Sequence, residues 1–205
     1  MHIQQIPTGA IQENCYLVWQ EKDLLIIDPG ADAPLIIEKI TAISAKPLAI
    51  LLTHTHYDHI GAVDALRDFY EIPVYVSPLE NDWLGNPILN LSSRHPELGG
   101  LVVRPAEHEF ELKEYMIGNI PFKVVATPGH SHGSVSFVFN TFVVSGDALF
   151  KGSIGRTDLY TGNLEQLLHS IQTQLFTLPD DYAVYAGHGT PTTIGLEKAS
   201  NPFFH

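Results

Sequence analysis

Short apolar runs that stop at glycine punctuate this chain and set its expected elements. Cys15–Trp19 and Leu24–Asp28 read as two strands joined by the polar turn Gln20-Glu21-Lys22-Asp23. Asp28-Pro29-Gly30 closes the second, and Pro34–Ala45 reads as a helix opened by its proline. Leu48–Leu52 is apolar throughout, as a buried strand should be. A helix over Ile60–Tyr70 and a short strand at Val74-Tyr75-Val76 follow. Residues 77–107 are weakly patterned, with Pro, Gly and Asn throughout; they predict a helix near Pro78–Trp83 and then a long loop, expected to flank a pocket. A second β run covers Phe110–Ser145, an amphipathic helix Asn163–Thr177, and a last strand Tyr182–Ala186. The order is a β-rich half, helices, a second β-rich half and helices. It suits two mixed β-sheets packed face to face with helices on the outer faces, an αββα sandwich of the α/β class. No repeat or linker divides the chain, so a single domain over residues 1–205 is expected.

Within this pattern one segment carries chemistry. Residues 54–59 read His-Thr-His-Tyr-Asp-His, directly after the apolar run ending at Leu52. In an extended segment, side chains at i and i+2 point to the same side, so His54 and His56 can reach one ion. Asp58 and His59 come where the chain should turn into a helix and can face a second point. Asp58 alone could serve as a helix cap, but that leaves three histidines unexplained. Neutral imidazoles with carboxylates suit Zn, Fe or Mn better than Ca or Mg.

Three further strands end beside such a group. Phe122–Ala126 runs into Thr127-Pro128-Gly129-His130, Phe142–Ser145 into Gly146-Asp147, and Tyr182–Ala186 into Gly187-His188-Gly189. Groups at the carboxyl ends of neighbouring strands converge on one side of a sheet, where α/β proteins bind ligands. His132 follows His130 at strand spacing and reads as a loop residue. His2, His95, His108, His169 and His205 stand in polar or terminal contexts and read as solvated.

The ordered set THTHYDH, TPGH, SGD and GHG resembles the metallo-β-lactamase superfamily. Gly146-Asp147-Ala148-Leu149-Phe150 with Gly155-Arg156-Thr157-Asp158-Leu159 resembles, more narrowly, its short-form glyoxalase II-like hydrolases. The resemblance implies two adjacent metal ions, most readily zinc, with iron or manganese as substitutes. His54, His56 and His130 would hold the first; Asp58, His59 and His188 the second; Asp147 would bridge them. A hydroxide shared by the two metals would attack a carbonyl, with Asp58 and Asp147 as the catalytic carboxylates. No second carboxylate or histidine is placed as a dedicated general acid. This fits a thioester such as S-lactoylglutathione, whose thiolate can leave unprotonated. Arg156 is the candidate for contact with a substrate carboxylate, against the alternative of an ion pair with Asp158. Long-form glyoxalase II enzymes grip glutathione with a helical C-terminal extension, and this sequence ends 17 residues after His188. Glutathione specificity is therefore a weaker expectation than thioester hydrolysis.

Composition narrows the alternatives. The net charge of -12 comes from 23 acidic against 11 basic residues, which argues against nucleic acid as partner and against an RNA-processing nuclease. The N-terminus lacks a basic and apolar leader, and no apolar run reaches the ~18 residues of a membrane helix, so a cytoplasmic enzyme with a small-molecule substrate and no membrane partner is expected. A secreted β-lactamase fits less well for the same reason. The single cysteine, Cys15, excludes an intrachain disulfide and a Cys-based metal site and reads as a small buried apolar residue. Two enzymatic rivals share the motif: an iron-dependent persulfide dioxygenase with one iron on His54, His130 and Asp147, and a lactonase on the same metal pair. A structural or storage metal site is disfavoured, since those are closed and rich in Cys.

Overall fold

A computed structural model describes residues 1–205. The chain forms two compact units: Met1–Phe110 with Met116–Ile120, and Glu111–Tyr115 with Pro121–His205.

The first unit is built on a six-stranded mixed sheet in chain order: β1 (His2–Thr8), β2 (Glu13–Gln20), β3 (Asp23–Ile27), β4 (Lys46–Leu51), β5 (Val74–Val76) and β6 (His108–Glu109). The first two pairings are antiparallel and the last three parallel. β1 has no apolar signature because it lies at the sheet edge; its Pro7 is tolerated there, where a missing N–H costs no ladder bond. The expected helix at Pro34–Ala45 is α1 (Ala33–Ile43), which has its proline in the first turn and buries Ile36 and Ile40, one turn apart.

The helix expected over Ile60–Tyr70 is instead two pieces, α2 (Tyr57–Ile60) and α3 (Val63–Tyr70). The break lies at Gly61-Ala62, where the Ala62 N–H is donated to Pro29 O at 2.9 Å, outside the helix. A side chain on Gly61 would start 2.3 Å from Gly30 O, so the backbones pass too closely for any other residue. The helix expected near Pro78–Trp83 is one 3₁₀ turn, Asn81–Trp83.

The other mixed sheet, drawn mainly from the second unit, is spatially ordered β14-β13-β10-β9-β8-β7. Its strands are β7 (Glu114–Ile117), β8 (Ile120–Ala126), β9 (Val135–Val138), β10 (Phe142–Gly146), β13 (Ala183–Ala186) and β14 (Thr192–Thr193), while β11 (Leu149–Phe150) and β12 (Ser153–Ile154) form a small separate hairpin. β8–β9 and β9–β10 are antiparallel and β10–β13 parallel, so β8, β10 and β13 run the same way. Helix α4 (Leu164–Ser170) starts where the Asn163 side chain accepts the Gln166 N–H at 2.9 Å. It continues as one π-helical turn, Ile171–Leu175, rather than as a uniform helix to Thr177. Helix α5 (Ile194–Ser200) completes the unit, and Leu167, Ile171, Leu175, Val184 and Ile194 form part of its core. No helix of the chain is long and apolar enough to cross a membrane.

Candidate metal centre

Leu52 leads out of β4 into an extended segment, and this segment sorts its residues by side. His54 and His56 share one side, with ring centroids 4.7 Å apart, and both are buried. Thr53 and Thr55 face away and are each held by a buried carboxylate. Asp28, at the end of the neighbouring parallel strand β3, accepts the Thr53 N–H at 2.7 Å and its hydroxyl at 2.5 Å. Glu80, beyond the end of β5, accepts the Thr55 N–H at 2.8 Å and its hydroxyl at 3.0 Å. The His-rich segment is thus a clamped interior loop.

These anchors also set the imidazole tautomers. The Thr53 hydroxyl spends its proton on Asp28, so at 3.1 Å it accepts from His54 Nδ1. His59 Nδ1 lies 3.1 Å from Asp28 Oδ2, an acceptor. In the second unit His130 Nδ1 meets the Arg156 carbonyl oxygen at 2.8 Å, which can only accept. In all three histidines Nδ1 carries the proton, and Nε2 is the nitrogen with the lone pair a metal needs. Asp28 lies within ligand distance of His54 and His59, but it already accepts three hydrogen bonds and serves as their anchor.

In the first unit His59 Nε2 stands 3.5 Å from Asp58 Oδ2. In the second, Asp147 Oδ2 stands 3.5 Å from His130 Nε2 and 3.8 Å from His188 Nε2. These gaps exceed hydrogen bonds and approach the roughly 3.4 Å between two donors that share a tetrahedral zinc at ~2.0–2.1 Å. The second unit brings Asp147 and His188 together through parallel strands: the Gly187 N–H, just past β13, is donated to Gly146 O, the last residue of β10, at 2.9 Å. Asp58 in the first unit and Asp147 in the second are about one-tenth exposed, and His188 in the second about 28%. Both units supply nitrogen and carboxylate oxygen, which suits first-row divalent metals.

Behind these groups lies a third carboxylate. Glu13 is fully buried, with Oε2 accepting the Thr8 hydroxyl at 2.8 Å and Oε1 3.6 Å from His59 Nδ1. Burial pushes its carboxyl well above the usual range, against the pull of His59. Burial likewise pushes the Cys15 thiol up, and that residue sits in the core as a small apolar group. Sequence reading missed the anchoring roles of Glu13, Asp28 and Glu80. Asp28 carried a signal, a lone acid closing an apolar run. Glu80 had none, because its segment shows no periodicity.

The Arg156 guanidinium is bound in a fork by Asp158, at 2.7 and 2.8 Å, with both side chains exposed. The ion pair with Asp158 is therefore the contact the Arg156 side chain makes in the fold, while the Arg156 backbone carbonyl orients His130. His132 is exposed in a loop, its N–H donated to Thr161 Oγ1 at 3.0 Å. Of the weakly patterned segment, His95, Glu97, Leu98 and Leu101 line a cavity of about 340 Å³ together with Tyr57 and Asp58, so it does flank a pocket.

Residues 8–188 match the metallo-beta-lactamase superfamily. A probable metallo-hydrolase of Streptococcus pyogenes serotype M6 is 50% identical, over 94% of this chain and 86% of its own. The hydroxyacylglutathione hydrolase GloC of Haemophilus influenzae is 37% identical, over 100% of this chain and 99% of its own. Among solved structures, BLEG-1 B3 metallo-beta-lactamase superposes with a TM-score of 0.94 at 46% identity, covering 99% of both chains. TTHA1623 in a di-iron-bound form gives 0.84 at 37%, covering 98% of this chain and 99% of that one. ETHE1 from Myxococcus xanthus gives 0.80 at 31%, covering 98% and 84%. The chain belongs to the metallo-β-lactamase superfamily, with the fold of that family, and is a metal-dependent hydrolase.

Proposed function

We propose that the two units act as one metallo-hydrolase domain that cleaves acyl thioesters. In this reading His54, His56 and His130 hold one divalent ion, and Asp58, His59 and His188 a second. Asp147 serves both, and zinc is the native metal. The observation that carries it is the tautomer lock: three buried histidines have Nδ1 committed to Thr53, Asp28 and the Arg156 carbonyl, which orients Nε2 as a ligand. When bound, such a pair supplies Lewis acidity and a water ionised near neutral pH.

The chain's own residues do the rest. Asp58, on the first turn of α2, orients the attacking water and takes its proton. Asp28 and Glu80 hold the loop rigid, so the donors do not reorganise during turnover. Burial of the imidazoles limits bulk water. A thiolate needs no proton to depart, so the donor set suffices for a thioester without a further acid. The likeness to GloC over its full length supports the thioester class. Arg156 would leave Asp158 to meet a carboxylate on the thiol portion, an exchange made inexpensive by the pair's exposure.

Elemental analysis of the purified protein, with assays on S-lactoylglutathione and simpler acyl thioesters, tests the reading. Two zinc per chain and chelator-sensitive hydrolysis are expected. A second reading, a persulfide dioxygenase with one iron, is kept in view by the likeness to ETHE1; oxygen uptake on glutathione persulfide without thioester hydrolysis would establish it instead.

A further inference from the structure

We propose that the cavity beside Asp58 receives the acyl group of the substrate and selects a short uncharged hydrocarbon chain over one ending in an anion. The inference rests on the thioesterase reading and deepens it.

At about 340 Å³ the cavity lies at the small end of ligand pockets, roughly 300–1,000 Å³. That volume accommodates a short acyl chain. Its apolar walls come from Ala10 and Ile11, in the turn between β1 and β2, and from Leu98 and Leu101. Ile11 and Leu98 are 50% and 44% exposed, large apolar side chains awaiting cover at the same opening.

The charged groups lining the cavity are carboxylates, and its other titratable groups are Tyr57 and His95. No Lys or Arg lines it. The carboxylates are Asp32, Asp58 and Glu97; Asp32 accepts the Gly9 N–H at 2.9 Å, and the His95 ring lies with Nδ1 3.2 Å from Glu97 and its centroid 4.2 Å from that of Tyr57, tilted by 38°. With Asp58 committed to metal, Asp32 and Glu97 still face the space. A carboxylate at the far end of an acyl chain would there face two carboxylates and no Lys or Arg.

Binding and turnover test this separately. The first probe pair is hexanamide and its ω-carboxylate counterpart adipamate, added to the metal-loaded protein and followed by methyl NMR of Ala10, Ile11, Leu98 and Leu101. Hexanamide should shift these methyls at concentrations at least about tenfold lower than adipamate. Equal responses, or shifts elsewhere only, would overturn the proposal. The second probe pair is hexanoyl and adipoyl thioesters of N-acetylcysteamine: kcat/KM should favour hexanoyl at least about tenfold, and Glu97→Lys should cut that preference severalfold. An unchanged preference in Glu97→Lys would also count against it. If the amides discriminate as expected but no thioester is cleaved, the thioesterase reading fails and the cavity assignment stands.

Discussion

Glu80 holds Thr55 by two hydrogen bonds through a single oxygen, to the backbone N–H at 2.8 Å and the hydroxyl at 3.0 Å. Thr55 lies between His54 and His56, so this buried carboxylate fixes the backbone that spaces two imidazoles. Glu80→Ala should leave a buried N–H unsatisfied, costing about 1–3 kcal/mol of stability. Metal affinity should fall by about 10–100-fold, the usual effect of removing a group that orients ligands. Chelator competition read beside thermal unfolding checks both; unchanged affinity would separate Glu80 from the metal loop.

Gly30 makes a second prediction. A Cβ at this position would lie 1.6 Å from Asp58 O and 2.4 Å from Glu13 Oε2. Because one obstacle is backbone, Gly30→Ala must displace the first turn of α2. A loss of roughly 1–3 kcal/mol, as for overpacking, is expected together with weaker metal binding. A variant with wild-type Tm and metal content would contradict this.

Asp147 is the residue assigned to both ions. Asp147→Ala should reduce the bound metal from two ions per chain to one and lower turnover by more than about 100-fold, given that metal stabilisation of developing charge is worth several kcal/mol. Elemental analysis and steady-state kinetics decide it, and two retained ions with normal turnover would remove Asp147 from its bridging role.

Acid should weaken one tie of the 104–107 segment. Burial pushes the Glu107 carboxyl up, but hydrogen bonds from the Val74 N–H and Arg67 outweigh this and hold it below the usual carboxylate range. A group depressed in the folded state stabilises fully above its unfolded value, near ~4.3, and loses that contribution as pH falls through the lower folded value. The Tm gap between wild type and Glu107→Gln should therefore be constant near neutrality and shrink below about pH 4.3. A gap that widens on acidification would reverse the sign of the argument.

Arg156 separates stability from recognition. Its pair with Asp158 is largely exposed, so Arg156→Ala should change stability by less than about 1 kcal/mol. KM for a glutathione thioester should rise severalfold while that for an N-acetylcysteamine thioester stays level. Equal effects on both, or none on either, would remove the Arg156 side chain from contact with the thiol portion.

Strands were the most legible part of the fold, because Leu24–Ile27, Ala49–Leu52 and Phe142–Val144 are buried and apolar along their length. β1 was missed because an edge strand has no such requirement. The break between α2 and α3 was missed because its cause is remote in sequence: the Pro29-Gly30 turn, which takes the Ala62 N–H. The π-helical turn at Ile171–Leu175 keeps the apolar periodicity of a helix and so left no local trace.

By itself the sequence determined the set of candidate metal-binding side chains. Imidazole and carboxylate at fixed spacing are chemical facts, and a strand that ends in glycine beside one of them states its own position. Tertiary structure alone decided how those groups are held. The anchors Asp28 and Glu80 stand 25 residues from the threonines they bind, and Arg156 supplies His130 with a carbonyl that any residue possesses. Hydrogen bonds formed by chain folding depend on where strands end in space, and no local pattern of residues records that.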